Sequence, residues 1–310
     1  MGFDVRRTKF CRRTNFDFFD SIDPEPTILC SRTTKPSCAA YPLFWPPSDL
    51  IVGGMSGRTI MKIRYTVSIA ILASLFLSGT ASAAEIKVLA SGATKEVIDE
   101  ILPAFEKTSG HKVAIAFAGT ANIKKRIAAG EMYDLVIVGG PVIDSFIQQG
   151  KITPGTRTDL MKSGVGVAVR AGAPKPDIGS SEALKKTLLS AKSIGYSSGP
   201  SGDYVMRLVG RMGIADQVKL KMKQVPSGIR ISTMIESGEV EIGFQQISEL
   251  IHEKGIDYLG PLPAEVQNIS VFSAGLHTGA KEPEAAKALI KALVSPHAAI
   301  AIKAHGMEPG

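Results

Sequence analysis

From residue 85 onwards the chain alternates short apolar runs with longer stretches in which apolar residues recur every three or four positions. The first pattern suits a buried strand and the second suits one face of a helix. Residues 85–90 predict a strand, and 94–109 a helix with Val97, Ile98, Ile101, Leu102 and Phe105 on one face. Gly110 stands where a helix ends. Strand 111–117, helix 122–129, the wholly apolar strand 135–138 and helix 141–149 follow, the two helices closed by Gly130 and Gly150. After strand 164–169 a second series appears: helix 181–190, strand 193–196, helix 203–212, strand 221–225, helix 229–237, strand 240–244 and helix 247–253. Residues 269–276 return as a strand, ahead of helices 283–293 and 296–305.

Repeated strand–turn–helix units predict an α/β fold, with mainly parallel sheets covered by helices on both faces. Two series predict two lobes with a ligand cleft between them. The first takes residues 84–163 plus 269–310 and the second takes 164–268. The chain crosses near 164–169 and again near 266–275, and two crossings make a hinge.

The earlier residues break this pattern. Met61-Lys62-Ile63-Arg64 is basic, 67–77 is apolar, and Ala81-Ser82-Ala83 is an A-x-A site. These are the parts of a secretory signal peptide over 61–83, with cleavage after Ala83 or Ala84 and a periplasmic destination. The apolar run is shorter than the roughly 20 residues of a membrane span. Residues 1–60, with Cys11, Cys30, Cys38 and Trp45, show little periodicity. They are expected to be a mis-assigned or disordered extension, with translation starting at Met61.

Dividing the chain there changes its charge. Of 36 Lys+Arg and 29 Asp+Glu, 10 and 6 lie in residues 1–83, so 84–310 carries 26 against 23, about +3. No basic block with interleaved aromatics occurs, which argues against nucleic acid as a partner. Residues 84–310 contain no cysteine, which excludes a disulfide, a thiolate metal site and a cysteine nucleophile from that stretch.

The candidate chemistry lies in the turns. In open α/β sheets ligands bind beyond the carboxyl ends of strands. Here those ends read Ser91-Gly92-Ala93-Thr94, Gly119-Thr120-Ala121-Asn122 and Ser197-Ser198-Gly199-Pro200-Ser201-Gly202. Each opens a predicted helix, whose free N–H groups and dipole favour an anion. Hydroxyls of Ser91, Thr94, Thr120 and Ser201 add neutral donors. Ser, Thr, Asn and Gly are also ordinary capping residues, so it is the recurrence of such turns that points to a site. Gln245-Gln246 ends an apolar strand, either as a cap or with an amide towards a ligand. Arg230 is read as a solvated helix face or a partner for a carboxylate ligand, and Tyr204 as packing or a ligand contact. Glu236, Glu239 and Glu241 read as a surface cluster, and the five histidines as mostly surface residues without metal spacing. No G-x-S-x-G elbow or Ser/His/Asp arrangement is present, so the expectation is binding without a cofactor and without catalysis. A secreted enzyme using the same cleft is the competing class.

Over 85–310 the chain resembles the periplasmic molybdate-binding proteins of ABC importers. The resemblance rests on Phe117-Ala118-Gly119-Thr120-Ala121-Asn122-Ile123, Ala128-Ala129-Gly130-Glu131, Asp134-Leu135-Val136-Ile137 and Pro200-Ser201-Gly202-Asp203-Tyr204. It extends to the stretches 236–243 and 283–288. It implies a two-lobed binding protein that holds a tetrahedral oxyanion such as molybdate or tungstate and delivers it to a permease and its ATPase. The family's second-loop serine falls on Thr120, its backbone donor after a proline on Ser201, and another near Gly228. Two positions depart: the first-loop serine falls on Ala93, with hydroxyls displaced to Ser91 and Thr94, and a tyrosine donor falls on Gln246. A small carboxylate is the alternative ligand.

Overall fold

The computed structural model describes residues 83–310. The expected extension 1–60, and all of the expected signal segment before Ala83, lie outside the described residues.

The first sheet has six strands in the order β11-β4-β10-β3-β1-β2. They are β1 (Glu85–Ser91), β2 (Lys112–Ala118), β3 (Leu135–Gly139), β4 (Thr158–Ser163), β10 (Ser270–Leu276) and β11 (Glu308–Pro309). Its helices are α1 (Lys95–Ser109), α2 (Thr120–Ala128), α3 (Gly140–Gln148), α8 (Pro283–Leu293) and α9 (Pro296–Ala304). The second sheet has the order β7-β6-β8-β5-β9. Its strands are β5 (Val165–Arg170), β6 (Ile194–Tyr196), β7 (Met222–Gln224), β8 (Ile242–Gln246) and β9 (Ile256–Pro261). Around it lie α4 (Ser181–Ser190), α5 (Pro200–Arg211), α6 (Ala215–Val218) and α7 (Ile231–Glu236).

The two-lobed α/β expectation holds, but both sheets are mixed. β1 pairs in parallel with β2 and β3, whereas β10 runs antiparallel to β3 and β4. In the second sheet β6 is parallel to β7 and β8, while β5 is antiparallel to β8 and β9. The strands that run against the parallel ones are β5, just after the first crossing, β10, just after the return, and the short C-terminal β11, antiparallel to β4. A chain that leaves one sheet and returns to it from the other arrives without a crossover helix of its own. β4 and β9 were not expected, because residues 158–163 and 256–261 carry polar residues among few apolar ones. The expected helix 247–253 is only a 3-10 turn, Ile247–Glu249.

Burial follows the helical spacing. Val97, Ile98, Ile101 and Phe105 of α1 pack under the first sheet with Leu289 and Leu293 of α8 and Ile302 of α9. Gly110 ends α1 in the left-handed region, φ 75°, which a glycine adopts without strain. Val165, Val167 and Phe244 centre the second core with Leu184, Val205 and Leu208. Burying one such side chain contributes about 1.5–3 kcal/mol. Among the described residues no single helix is long and apolar enough to cross a membrane.

The crossings are short and laced together. Only Gly164 separates β4 from β5. On the return, Gln267 accepts the Val165 N–H (2.9 Å) and donates its amide to the Val165 carbonyl (3.1 Å). The carboxyl ends of β1, β2, β6 and β8 thereby meet across one cleft.

Candidate functional site

A cavity of about 440 Å³ lies between the two sheets. From the first lobe it is lined by Ser91, Gly92, Ala93, Lys95, Phe117, Gly119 and Thr120. From the second come Ser197 to Ser201, Gly228, Ile229, Arg230, Gln245, Gln246, Glu249 and Glu253.

Two helices start at this cavity. α2 begins at Thr120, a buried residue whose hydroxyl has no partner among the described hydrogen bonds. In α5 the first turn is nearly filled. Pro200 has no N–H, the Gly202 N–H goes to Ser197 Oγ (3.0 Å), and the Asp203 N–H goes to the Gly199 carbonyl (3.0 Å). Ser197 Oγ also bonds Ser201 Oγ (2.8 Å). The Ser201 N–H is left as the free donor of that turn, next to the cavity. Gly228, at φ 90°, puts a backbone turn opposite α2.

Seven of the eleven candidate residues line this cavity: Ser91, Gly92, Ala93, Thr120, Ser201, Gly228 and Gln246. Four do not. Thr94 is fully buried and donates its hydroxyl to the Ser91 carbonyl (2.8 Å), so it shapes the turn instead of facing the cleft. Ala121 borders an adjoining hollow with Lys124, Ser198 and Asp203. Asn122 reaches across the lobes, its amide donating to the Ser227 carbonyl (3.3 Å). Gly202 leaves no room for a side chain, since a Cβ there would overlap the Ser197 carbonyl.

Gln246 lines the cavity, but its amide is engaged by the hinge. With its nitrogen towards the first crossing it donates to the Gly164 carbonyl (3.1 Å) and the Ser163 carbonyl (3.2 Å), and its oxygen accepts from Ser270 Oγ (3.0 Å). Gln245 instead accepts the Ile231 N–H (2.6 Å) at the start of α7. Tyr204 is packing: it is buried and donates to the Val266 carbonyl (2.6 Å). Glu236, Glu239 and Glu241 are exposed, as expected. His277 is buried, against expectation, and desolvation lowers its pKa. His305 joins His252 (3.0 Å) and Glu100 (2.8 Å) across the lobes.

Arg230 is not a solvated helix face. It binds Glu96 of α1 at 2.5 Å and also pairs with Glu253. Desolvation works against its charge, but the two carboxylates outweigh it and hold the guanidinium above its ordinary pKa. Ser232 Oγ completes the cluster by donating to Glu253 (2.8 Å).

Sequence reasoning missed the acid of this cleft. Glu249 ends the 3-10 turn after β8 and lines the cavity. Desolvation raises its carboxyl to about pKa 7. A bond from Gln245 and the charge of Arg230 pull the other way, and Glu96 and Glu253 add to the rise. Its neighbour Ser248 donates to the Ala93 carbonyl (2.8 Å), pinning the turn to the first lobe. Residues 247–253 carry an amphipathic pattern, which hid the carboxylates among apparent surface positions.

The site combines neutral anion donors with a carboxyl that exchanges its proton near neutrality. A family profile described as bacterial extracellular solute-binding protein matches residues 86–308. Aconitate isomerase of Pseudomonas sp is 36% identical over 245 residues, covering 77% of this chain and 93% of that protein. Molybdate-binding protein ModA of Azotobacter vinelandii is 25% identical over 239 residues, covering 74% and 92%. The solved structure of the Azotobacter vinelandii periplasmic molybdate-binding protein superposes with a TM-score of 0.62 at 20% identity, covering 73% of this chain and 99% of that one.

Proposed function

The chain belongs to the bacterial extracellular solute-binding protein family, and we propose that its cleft takes a small organic polycarboxylate and isomerises it, as in an aconitate isomerase. The observation that carries this reading is the size and spread of the donor set. Ser91, Thr120, Ser198, Ser201 and Gly228 surround about 440 Å³ from four separate turns. Small-molecule sites span about 300–1,000 Å³. An ion of one metal and four oxygens would leave most of that space empty, whereas the three carboxylates of a six-carbon tricarboxylate can reach three of the four turns at once. The changes at Ala93 and Gln246 fit the same reading. Ala93 offers no hydroxyl, and the Gln246 amide is occupied by the hinge, so the contacts that would tighten the cleft around a tetrahedral ion are missing. The similarity to aconitate isomerase supports both the ligand and the reaction.

Protein incubated with cis-aconitate and followed by proton NMR should accumulate the trans isomer. A thermal-shift series with molybdate, tungstate, sulfate and trans-aconitate runs beside it. A ligand at about 1,000 times its dissociation constant adds about 4 kcal/mol of stability. Stabilisation by molybdate and tungstate alone, without turnover, would overturn the reading.

Capture of an anion in the periplasm for a permease and its ATPase is the second reading. It is favoured by the family match and by the two helix starts at the cleft, each a ready anion site.

A further inference from the structure

We propose that Glu249 is the catalytic acid–base of this cleft, carrying one proton between two carbons of the bound tricarboxylate. The inference rests on the isomerase reading above and names the group that performs its chemistry.

Placement comes first. Glu249 sits where the lobes meet. Its Oε1 lies 3.4 Å from where a Cβ of Gly92 would stand, so the carboxyl rests against the first-lobe turn while lining the cavity. Ser248 fixes the backbone beside it through the Ala93 carbonyl. Gln245, itself anchored on Ile231, lines the cavity beside the carboxyl and pulls its pKa down. The group is therefore held from both lobes, as an acid–base that must meet a carbon atom requires.

Its neighbours explain why it and not another carboxylate has this role. Glu96 and Glu253 are both engaged by Arg230, and Glu253 also accepts from Ser232. Lys95, the other cation of the lining, pairs with Asp99 and lies 5.4 Å from the Phe117 ring centre. Glu249 alone among these carboxylates is without a cationic partner at salt-bridge distance, and its proton comes and goes near neutrality. An ionised carboxylate is an acceptor only. A molybdate ion, which bears no proton at neutral pH, offers it nothing. A carbon acid does.

The chemistry balances within one molecule. Aconitate carries a methylene group next to its double bond, flanked by carboxylates. Glu249 takes a proton from the methylene carbon: the C–H bond breaks and its electron pair enters an allylic carbanion spread onto the carboxylates. Glu249, now the acid, returns the proton to the former vinylic carbon. The double bond moves by one position, and the new geometry is set by how the cleft holds the carboxylates. No electron, proton or group is gained or lost, and no co-reactant is needed.

The test compares wild type, Glu249→Gln and Glu249→Asp on cis-aconitate in deuterium oxide, by proton NMR, with stabilisation by trans-aconitate measured in parallel. General acid–base catalysis contributes about 10²–10⁴-fold. We expect Glu249→Gln to lose at least about 100-fold in kcat while trans-aconitate still stabilises it, and Glu249→Asp to recover part of the rate. Wild-type kcat/KM should rise with pH to a plateau above about 7, and the residual rate of Glu249→Gln should lack that limb. An active wild type with Glu249→Gln within tenfold of it would overturn this assignment and leave the isomerase reading standing. An inactive wild type would overturn both.

Discussion

Gly119 decides how closely the lobes can approach. It precedes α2, and its φ of −70° is open to any residue, so its smallness serves space and not backbone freedom. A Cβ there would overlap Ser227 Oγ and stand 3.0 Å from the Gly228 N–H, both in the second lobe. Gly119→Ala should therefore cost little within its own lobe. At an unstrained position this exchange even stabilises by about 0.4–1 kcal/mol through the unfolded chain. The cost falls on the closed state, where overpacking against backbone amounts to about 1–3 kcal/mol. A ligand that binds the closed state feels that difference as an affinity loss of about 5–150-fold. Adding Ser227→Gly removes the hydroxyl but not the Gly228 amide, and should restore part of the affinity. The assay is calorimetric titration with trans-aconitate, beside the melting temperature of the free protein. The expected signature is split: weaker binding with an unchanged or slightly raised free-protein Tm. Unchanged affinity in Gly119→Ala would refute the closure role of this contact. A large drop in free-protein Tm would place the fault within the lobe instead.

Thr120→Val removes a buried hydroxyl beside the helix start and should weaken trans-aconitate binding by about 1.5–3 kcal/mol, the range for a bond to a charged partner, read by calorimetry. Arg230→Met leaves Glu96 and Glu253 without their cation; breaking a fully buried pair costs about 3–5 kcal/mol, and partial solvent access here should reduce that, as denaturant melts will show. The Glu249 carboxyl has a folded pKa near 7, above the value of 4.5 ordinary for glutamate, so the folded state binds its proton more tightly. Its charge then costs stability as pH rises from about 4.5 to 7. Glu249→Gln should melt above wild type at pH 8 and approach it at pH 4; a constant gap would remove the carboxyl as the cause. Gly202→Ala should lower Tm clearly, because its Cβ meets a carbonyl that cannot rotate away.

Much of the scaffold was legible in the sequence because it is carried by local signals. The spacing of Val97, Ile98, Ile101 and Phe105 encodes α1 within its own length, and four apolar residues in a row encode β3. The direction of a strand is not local. Nothing in Ser270 to Leu276 states that it runs against β3, since that depends on the route through the other lobe. β4 and β9 were missed for a related reason: their pairing comes from neighbours, and their own residues alternate only weakly. At the site, the turns Ser91–Ala93, Thr120 and Ser201 stood out only because hydroxyl- and glycine-rich helix starts recur at three strand ends, since any one of them is also an ordinary cap. Gln246 was legible as unusual but not in its bonding, because Ser163, Gly164 and Ser270 approach it only once both crossings are in place. Glu249 gave no signal. A glutamate becomes an acid–base group through what surrounds it, and its surroundings come from three distant segments.

That placement also bears on how a binding scaffold acquires a reaction. A solute-binding cleft already supplies most of what proton transfer between carbons requires. Closure brings the two lobes together at Asn122 with Ser227, at Arg230 with Glu96, and at Ser248 with Ala93. On the proposed reading, such contacts would exclude water, strengthen the hydrogen bonds inside, and hold a ligand's carboxylates against fixed donors. A carbanion flanked by carboxylates is stabilised by the same donors that bind the anion. What remains is one group whose proton affinity matches the medium. Desolvation where the lobes meet raises Glu249 towards neutrality, so on the proposed reading closure around a ligand would also tune the acid. Gly119→Ala thereby separates the two readings of the cleft. If the protein only binds, opening it changes the dissociation constant alone. If Glu249 moves a proton, a saturated Gly119→Ala protein should also lose kcat, and its pH limb should shift below that of wild type as water returns to the carboxyl. An unchanged kcat at saturation would show that tuning does not depend on closure.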